Sequence, residues 1–179
     1  MDVPENFHTR RLHLRRPEAE DAAALFAAYT QDPEVVRFLV WAPHSTVEDT
    51  RAFLVECRES WRRRTEYTWV IVENSHPIGM ISARRNGYHV ELGYVLAKRH
   101  WGHGFMPEAA RCIMDWWLAQ PGIRHALAYC DAENTASARV LEKIGMQREA
   151  LIPRHAIHPN ISPEPRDCYR YSKARTGDT

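Results

Sequence analysis

The sequence predicts an α/β protein, a mixed sheet covered by helices. Three observations carry that prediction. Apolar residues recur with helical spacing in some stretches and alternate like strands in others. A central run rich in β-formers is punctuated by Asn74-Ser75 and Arg85-Asn86-Gly87, the mark of an antiparallel meander. Helical patterns stand on both sides of that meander, giving the order β-α-α-β-β-β-α-β-α-β-β.

Arg11 to Arg15 alternates as a first strand, with Leu12 and Leu14 on one face. Pro17 and the acids Glu18, Glu20 and Asp21 suit the first turn of a helix, whose buried face carries Ala22, Leu25, Phe26 and Tyr29. Asp32-Pro33 predicts a short helical piece through Leu39. Ser45-Thr46-Val47-Glu48 has capping-box spacing and opens a helix to about Arg64, with Val47, Leu54, Cys57 and Trp61 inward. The meander strands are expected over Tyr67–Glu73, Pro77–Arg84 and Tyr88–Leu96. A glycine loop follows, then a helix over Pro107–Ala119 with Ala110, Ile113, Met114 and Trp117 on one face. Ile123–Cys130 is the next strand and Asn134–Ile144 the last helix, closed by Gly145 in a left-handed cap. Strands near Met146–Ile152 and Asp167–Ser172 flank a proline-rich loop.

The chain has 179 residues and 44% hydrophobic content, which fits a single domain over 1–179 with a core at about 10–172. Charged residues make up 26%, against wholesale disorder, and the net charge of +1 argues against a nucleic-acid binder. Trp69-Val70-Ile71-Val72 is among the longest apolar runs, far short of a membrane span, and Met1 to Arg16 holds no apolar signal core. Cys57, Cys112, Cys130 and Cys168 form no Cys-x-x-Cys pair and read as reduced thiols of a cytoplasmic protein. The pairs His100/His103 and His155/His158 have three-residue spacing, but zinc needs further ligands converging from elsewhere and neither pair lies on an obvious helix face, so no metal is expected.

Chemistry concentrates in Glu91-Leu92-Gly93-Tyr94-Val95-Leu96 and Gly102-His103-Gly104-Phe105-Met106-Pro107-Glu108. A strand runs into a glycine turn that opens a helix, and free amides at a helix start suit a phosphate. Glycines let the backbone approach an anion closely. The third glycine of a dinucleotide fingerprint and the Gly-Lys-Ser/Thr of a Walker loop are both missing. A plain strand-to-helix turn is the alternative reading of these residues.

This stretch resembles the GNAT superfamily of acetyl-CoA-dependent N-acetyltransferases. Its pyrophosphate loop, Q/R-x-x-G-x-G/A, maps onto Trp101 to Met106 with Gly104 central; Trp101 and Met106 depart from the pattern. Trp-Gly-x-Gly-Phe-x-Pro-Glu-Ala looks like the ribosomal-protein alanine/serine N-terminal acetyltransferase subgroup. Asp32-Pro33-Glu34-Val35, Ile78-Gly79, Asn134-Thr135-Ala136-Ser137 and Leu141-Glu142-Lys143-Ile144-Gly145-Met146 add to it in matching order.

The resemblance implies a splayed, mostly antiparallel sheet flanked by helices, with acetyl-CoA in the gap between its fourth and fifth strands. The bulged strand would be Tyr94, Val95 and Leu96, pairing with pantetheine; ordinary strand packing is the alternative. The pyrophosphate would meet amides of Gly102, His103, Gly104, Phe105 and Met106. Asn134 is a helix N-cap or a pantetheine contact. Ser137, one turn on, is a helix-start hydrogen bonder or the donor to the leaving thiolate, because Leu141 stands where many relatives place a tyrosine. Glu91 is the candidate base, or a strand carboxylate; His89 is the weaker choice, and Glu108 reads as dipole stabilisation. The expected reaction is direct attack of a primary amine, in first place a protein or peptide N-terminal α-amine. A small amine, an amino sugar or a non-catalytic CoA-binding module are the rivals. Val40 to Ser45, with Trp41, and Pro153 to Pro165, with Arg154 and His155, would shape the acceptor pocket. A monomer or homodimer is expected.

Overall fold

The computed structural model describes residues 2–175, so Met1 and residues 176–179 of the expected domain lie outside the described residues. Among the described residues eight strands form one sheet in the order β1-β2-β3-β4-β5-β6-β8-β7. They are β1 (Asn6–His8), β2 (His13–Arg15), β3 (Tyr67–Glu73), β4 (His76–Asn86), β5 (His89–Leu96), β6 (His125–Asp131), β7 (Gln147–Ile157) and β8 (Pro165–Ala174). Every neighbouring pair is antiparallel except β5 and β6.

The helices are α1 (Asp21–Leu25), α2 (Val47–Arg63), α3 (Phe105–Leu118) and α4 (Thr135–Lys143). Alternation along β3 sorts them onto two faces. Val70 and Val72 pack with Ala22 and Leu25 of α1, Tyr29 just beyond it, and Leu54 and Cys57 of α2. Trp69 and Ile71 join Ile113, Met114 and Trp117 of α3 and Leu141 of α4. Being buried on both sides explains why β3 reads as a continuous apolar run.

Several boundaries differ from expectation, each for a local reason. β1 is missing from the predicted order because three residues with one apolar side chain, Phe7, give no alternation to read. The first helix continues as a π-turn over Phe26–Thr30, which stacks Thr30 beneath Leu25; the Thr30 and Thr50 hydroxyls then meet at 2.9 Å. Phe26 is only half-buried. Residues 32–39 make turns rather than a helical piece: the Asp32 carboxylate accepts the Glu34 amide at 2.9 Å as a cap would, and the Val36 amide bonds the Asp32 carbonyl at 3.1 Å, but that single turn is not continued. The capping box sits one residue later than its predicted place, between Thr46 and Asp49. At the second hairpin Asn86 still pairs with His89, so Gly87 and Tyr88 form the loop, with Gly87 at φ 59°. Helix α3 starts two residues before Pro107, which a first helical turn tolerates.

Candidate active site

Strands β5 and β6 pair in parallel from His89↔His125 to Leu92↔Ala128 and then separate. Beyond that point β6 is held on its other side by β8, up to Asp131↔Cys168. β5 stays zipped to β4 through Gly79↔Leu96. The register of β4 with β5 is unbroken, so the bulge expected at Tyr94–Leu96 is not there. The strands diverge because each follows its outer neighbour. The β5 edge that faced β6 is left without a strand partner from Gly93 to Leu96.

A cleft of about 480 Å³ opens at this split. Tyr94, Val95 and Leu96 line it from β5, Gly102, Gly104, Phe105 and Met106 from the glycine loop, and Asn134 and Ser137 from the start of α4. Gly102 and Gly104 have φ of 80° and 78°, conformations that a side chain would strain. Among the described residues, the amides of Gly102 through Met106 donate to no protein acceptor. A row of free donors beside an unpaired strand edge fits a ligand with an extended arm joined to a diphosphate, as in acetyl-CoA.

Glu91 and His103 do not line the cleft. The half-buried Glu91 lies on the still-paired part of β5, on the face shared with Val95 and turned toward α1 and α2; Tyr94 and Ser137 lie on the other face. His103 is exposed, and its ring stacks near Phe105. His89 stands at the far end of β5 beside His125.

Asn134 caps α4, its side-chain oxygen accepting the Ser137 amide at 3.1 Å. The Ser137 hydroxyl meets the Tyr94 hydroxyl at 2.9 Å, and Tyr94 also lies 3.2 Å from the Ser137 carbonyl oxygen. Burial raises the Tyr94 phenol well above its ordinary value, outweighing the Ser137 contact, so Tyr94 stays protonated at neutral pH. Sequence reasoning gave Tyr94 a backbone role only; nothing local announces a side-chain partner 43 residues away. It also missed Trp101, whose indole donates to the Leu96 carbonyl at 2.7 Å and ties the loop back to β5.

The two segments expected to shape the acceptor pocket meet each other, although none of their residues lines the cleft. Asn160 donates to the Val36 and Trp41 carbonyls at 2.7 and 2.8 Å, joining the β7–β8 loop to the segment after α1. Trp41 packs at a tilt against His44 and Phe53, and His155 stacks on Tyr129 at 4.3 Å. Arg154 is exposed and pairs with Glu164. Beneath this bridge the buried Asp131 carboxylate accepts Arg166 Nε at 2.6 Å and lies 3.6 Å from His158 Nε2. Burial would raise the Asp131 pKa, but Arg166 and the Glu133 amide hold it below the ordinary carboxylate value.

A sheet that splits between its one parallel pair, with a glycine loop opening a helix beside the split, defines an acyl-transfer domain for a long phosphorylated donor. The chain matches the acetyltransferase (GNAT) domain family over residues 11–147 and belongs to it. It is 30% identical over 155 residues to the uncharacterized N-acetyltransferase p20 of Bacillus licheniformis, covering 83% of this chain and 85% of that one. The crystal structure of a GNAT-family acetyltransferase from Bacillus anthracis superposes with TM-score 0.82 at 26% identity, covering 95% and 98% of the two chains. RimL, a ribosomal L7/L12 alpha-N-protein acetyltransferase solved with coenzyme A, shares the fold at TM-score 0.83 and 19% identity, over 98% and 99%. Among the described residues no helix is long and apolar enough to cross a membrane, and no group of side chains could hold a metal ion.

Proposed function

We propose that this GNAT acetyltransferase moves the acetyl group of acetyl-CoA onto a primary amine, foremost the N-terminal α-amine of a protein or peptide, by direct attack in a ternary complex. The observation that carries the reading is the unpaired β5 edge running into the free amides of the glycine loop. Acetyl-CoA supplies an activated thioester when bound. Backbone groups of Tyr94, Val95 and Leu96 hold its pantetheine arm, and the amides of Gly102 to Met106 hold its diphosphate. The amide side chain of Asn134, whose oxygen is engaged as a cap, offers its NH2 to the cleft.

The amine must reach the thioester neutral, so a base has to accept its proton. Glu91 serves from the α1/α2 face, reaching the amine through water because it stands back from the cleft. Ser137 donates a hydrogen bond to the departing sulfur, and Tyr94, held protonated, orients that hydroxyl. Glu91→Gln should lower turnover about 10²-fold at neutral pH, the size of a lost general base. Full activity across the pH profile would return Glu91 to a structural role.

The choice of an α-amine is supported by the RimL neighbour, a ribosomal L7/L12 alpha-N-protein acetyltransferase. A cytoplasmic setting and one domain spanning 1–179 belong to the same reading. CoA release with a panel of N-terminal peptides, small amines and amino sugars tests it. Peptides should dominate. Release with small amines alone would move the acceptor, and acetyl-CoA binding without release to any amine would make the protein a CoA-binding module.

A further inference from the structure

The glycine loop has little packing of its own. Trp101, Gly102 and His103 are exposed, and glycine restricts the backbone least of all residues. Besides the Trp101 tie to Leu96, what holds it comes from the other end of the chain. The Glu108 carboxylate, in the first turn of α3, accepts the Thr9 hydroxyl at 2.6 Å, the Arg11 amide at 2.9 Å and Arg11 Nε at 2.7 Å. Arg11 Nη1 donates to the His103 carbonyl at 2.9 Å, and the guanidinium lies 4.4 Å from the Phe105 ring centroid. One side chain thus grips the loop at His103, Phe105 and Glu108. Its remaining nitrogen, Nη2, makes no hydrogen bond among the described residues and lies 3.5 Å from where a Cβ on Gly104 would stand.

A favourable helix dipole accounts for an acid at position 108, but not for three donors converging on it from the β1–β2 connection. Burial alone would raise the Glu108 pKa; the Thr9 and Arg11 bonds hold it below the ordinary value, so the carboxylate stays charged at neutral pH and its pairing with Arg11 persists.

We propose that Arg11 is a positioning residue for the diphosphate-binding loop. With Thr9 and Glu108 it fixes the loop amides in their converging arrangement before the ligand arrives, and its Nη2 adds positive charge beside Gly104. A loop ordered in advance spends less binding energy on immobilisation, so the effect falls on the phosphate-bearing donor. This inference rests on the acetyl-CoA reading above and assigns the residue that shapes the phosphate end of that site.

The test compares wild type, Arg11→Met and Arg11→Lys. Affinity for acetyl-CoA is read by calorimetry, and kcat and KM are read with acetyl-CoA and with S-acetylpantetheine, which has no phosphates. Arg11→Met, which keeps stacking bulk on Phe105, should weaken acetyl-CoA about tenfold, or about 1.4 kcal/mol. It should raise KM with kcat nearly unchanged and leave kcat/KM for S-acetylpantetheine within about twofold. Arg11→Lys should recover only part of the loss, since one ammonium cannot fork between Glu108 and the His103 carbonyl. Wild-type acetyl-CoA affinity in either folded variant would overturn the proposal. Equal losses with both donors would overturn it too, by showing general damage. If Arg11→Met does not fold, Arg11→Lys decides on the same readings. Wild-type protein that fails to bind acetyl-CoA would instead overturn the functional reading.

Discussion

Strands β5 and β6 behave as two different structures along their length. At the root, His89–Leu92 and His125–Ala128 are paired, and Val90, Leu92, Ala126 and Ala128 are buried beneath α3. At the mouth, from Gly93 and Tyr129 onward, the same strands part and their facing edges have no strand partner. Stability and binding are therefore separated by a few residues on one strand. An unpaired backbone edge is a liability inside a folded protein unless a ligand completes it. The root holds the mouth open, because each strand is anchored on its outer side.

Removing packing from the root should give the largest effect. Leu92→Ala empties a buried site and should destabilise the fold by about 2–5 kcal/mol, while acetyl-CoA affinity of the folded protein stays within about threefold. Denaturant melts with calorimetry check this; a parallel collapse of affinity would mean root and mouth are one cooperative unit.

Gly79→Ala probes the boundary from the β4 side. A Cβ there would stand 2.4 Å from the Val95 carbonyl oxygen and 3.0 Å from the Leu96 Cα. Backbone must move, so the variant should lose about 1–3 kcal/mol of stability and weaken acetyl-CoA as well. A thermal melt and a binding isotherm on the same sample decide it, and intact affinity would show that the position of β5 at the mouth is not critical.

Ser137→Ala should lower kcat by about ten- to a hundredfold with little change in acetyl-CoA affinity, since a CoA thiolate is a tolerable leaving group unaided. Tyr94→Phe should follow in the same direction by a smaller factor, because it removes only the hydrogen bond that orients Ser137. A loss of affinity in place of turnover would make this pair a binding element.

The smallest effect concerns acid. The Asp131 carboxylate is depressed in the folded state, so its contribution is complete above the unfolded-state pKa of about 4 and is lost as pH falls through the lower folded value. The stability gap between wild type and Asp131→Asn, measured from pH 7 down to about pH 2, should narrow below about pH 4. A gap that does not narrow would show that hydrogen bonding to Arg166, rather than charge, supports this end of the mouth.

The sequence alone determined the elements whose information is local. Helical faces such as Ala110, Ile113, Met114 and Trp117, the Asn74-Ser75 turn and the left-handed Gly145 all depend on neighbours within a few positions, and the structure places them as expected, while the second meander turn moves on to Gly87-Tyr88. The glycine loop, the Asn134 cap and the family were legible for the same reason. Tertiary structure decided the rest. The divergence of β5 from β6 without a bulge depends on which outer strand each one follows, a contest that no short window records. The placement of Glu91 and Ser137 on opposite faces follows from which helices pack on each side of β5. Thr9 and Arg11 reach Glu108 across more than ninety positions, and Asn160 reaches Val36 across 124. Such contacts leave no periodicity in the chain, because their geometry exists only once the sheet has brought its distant edges together.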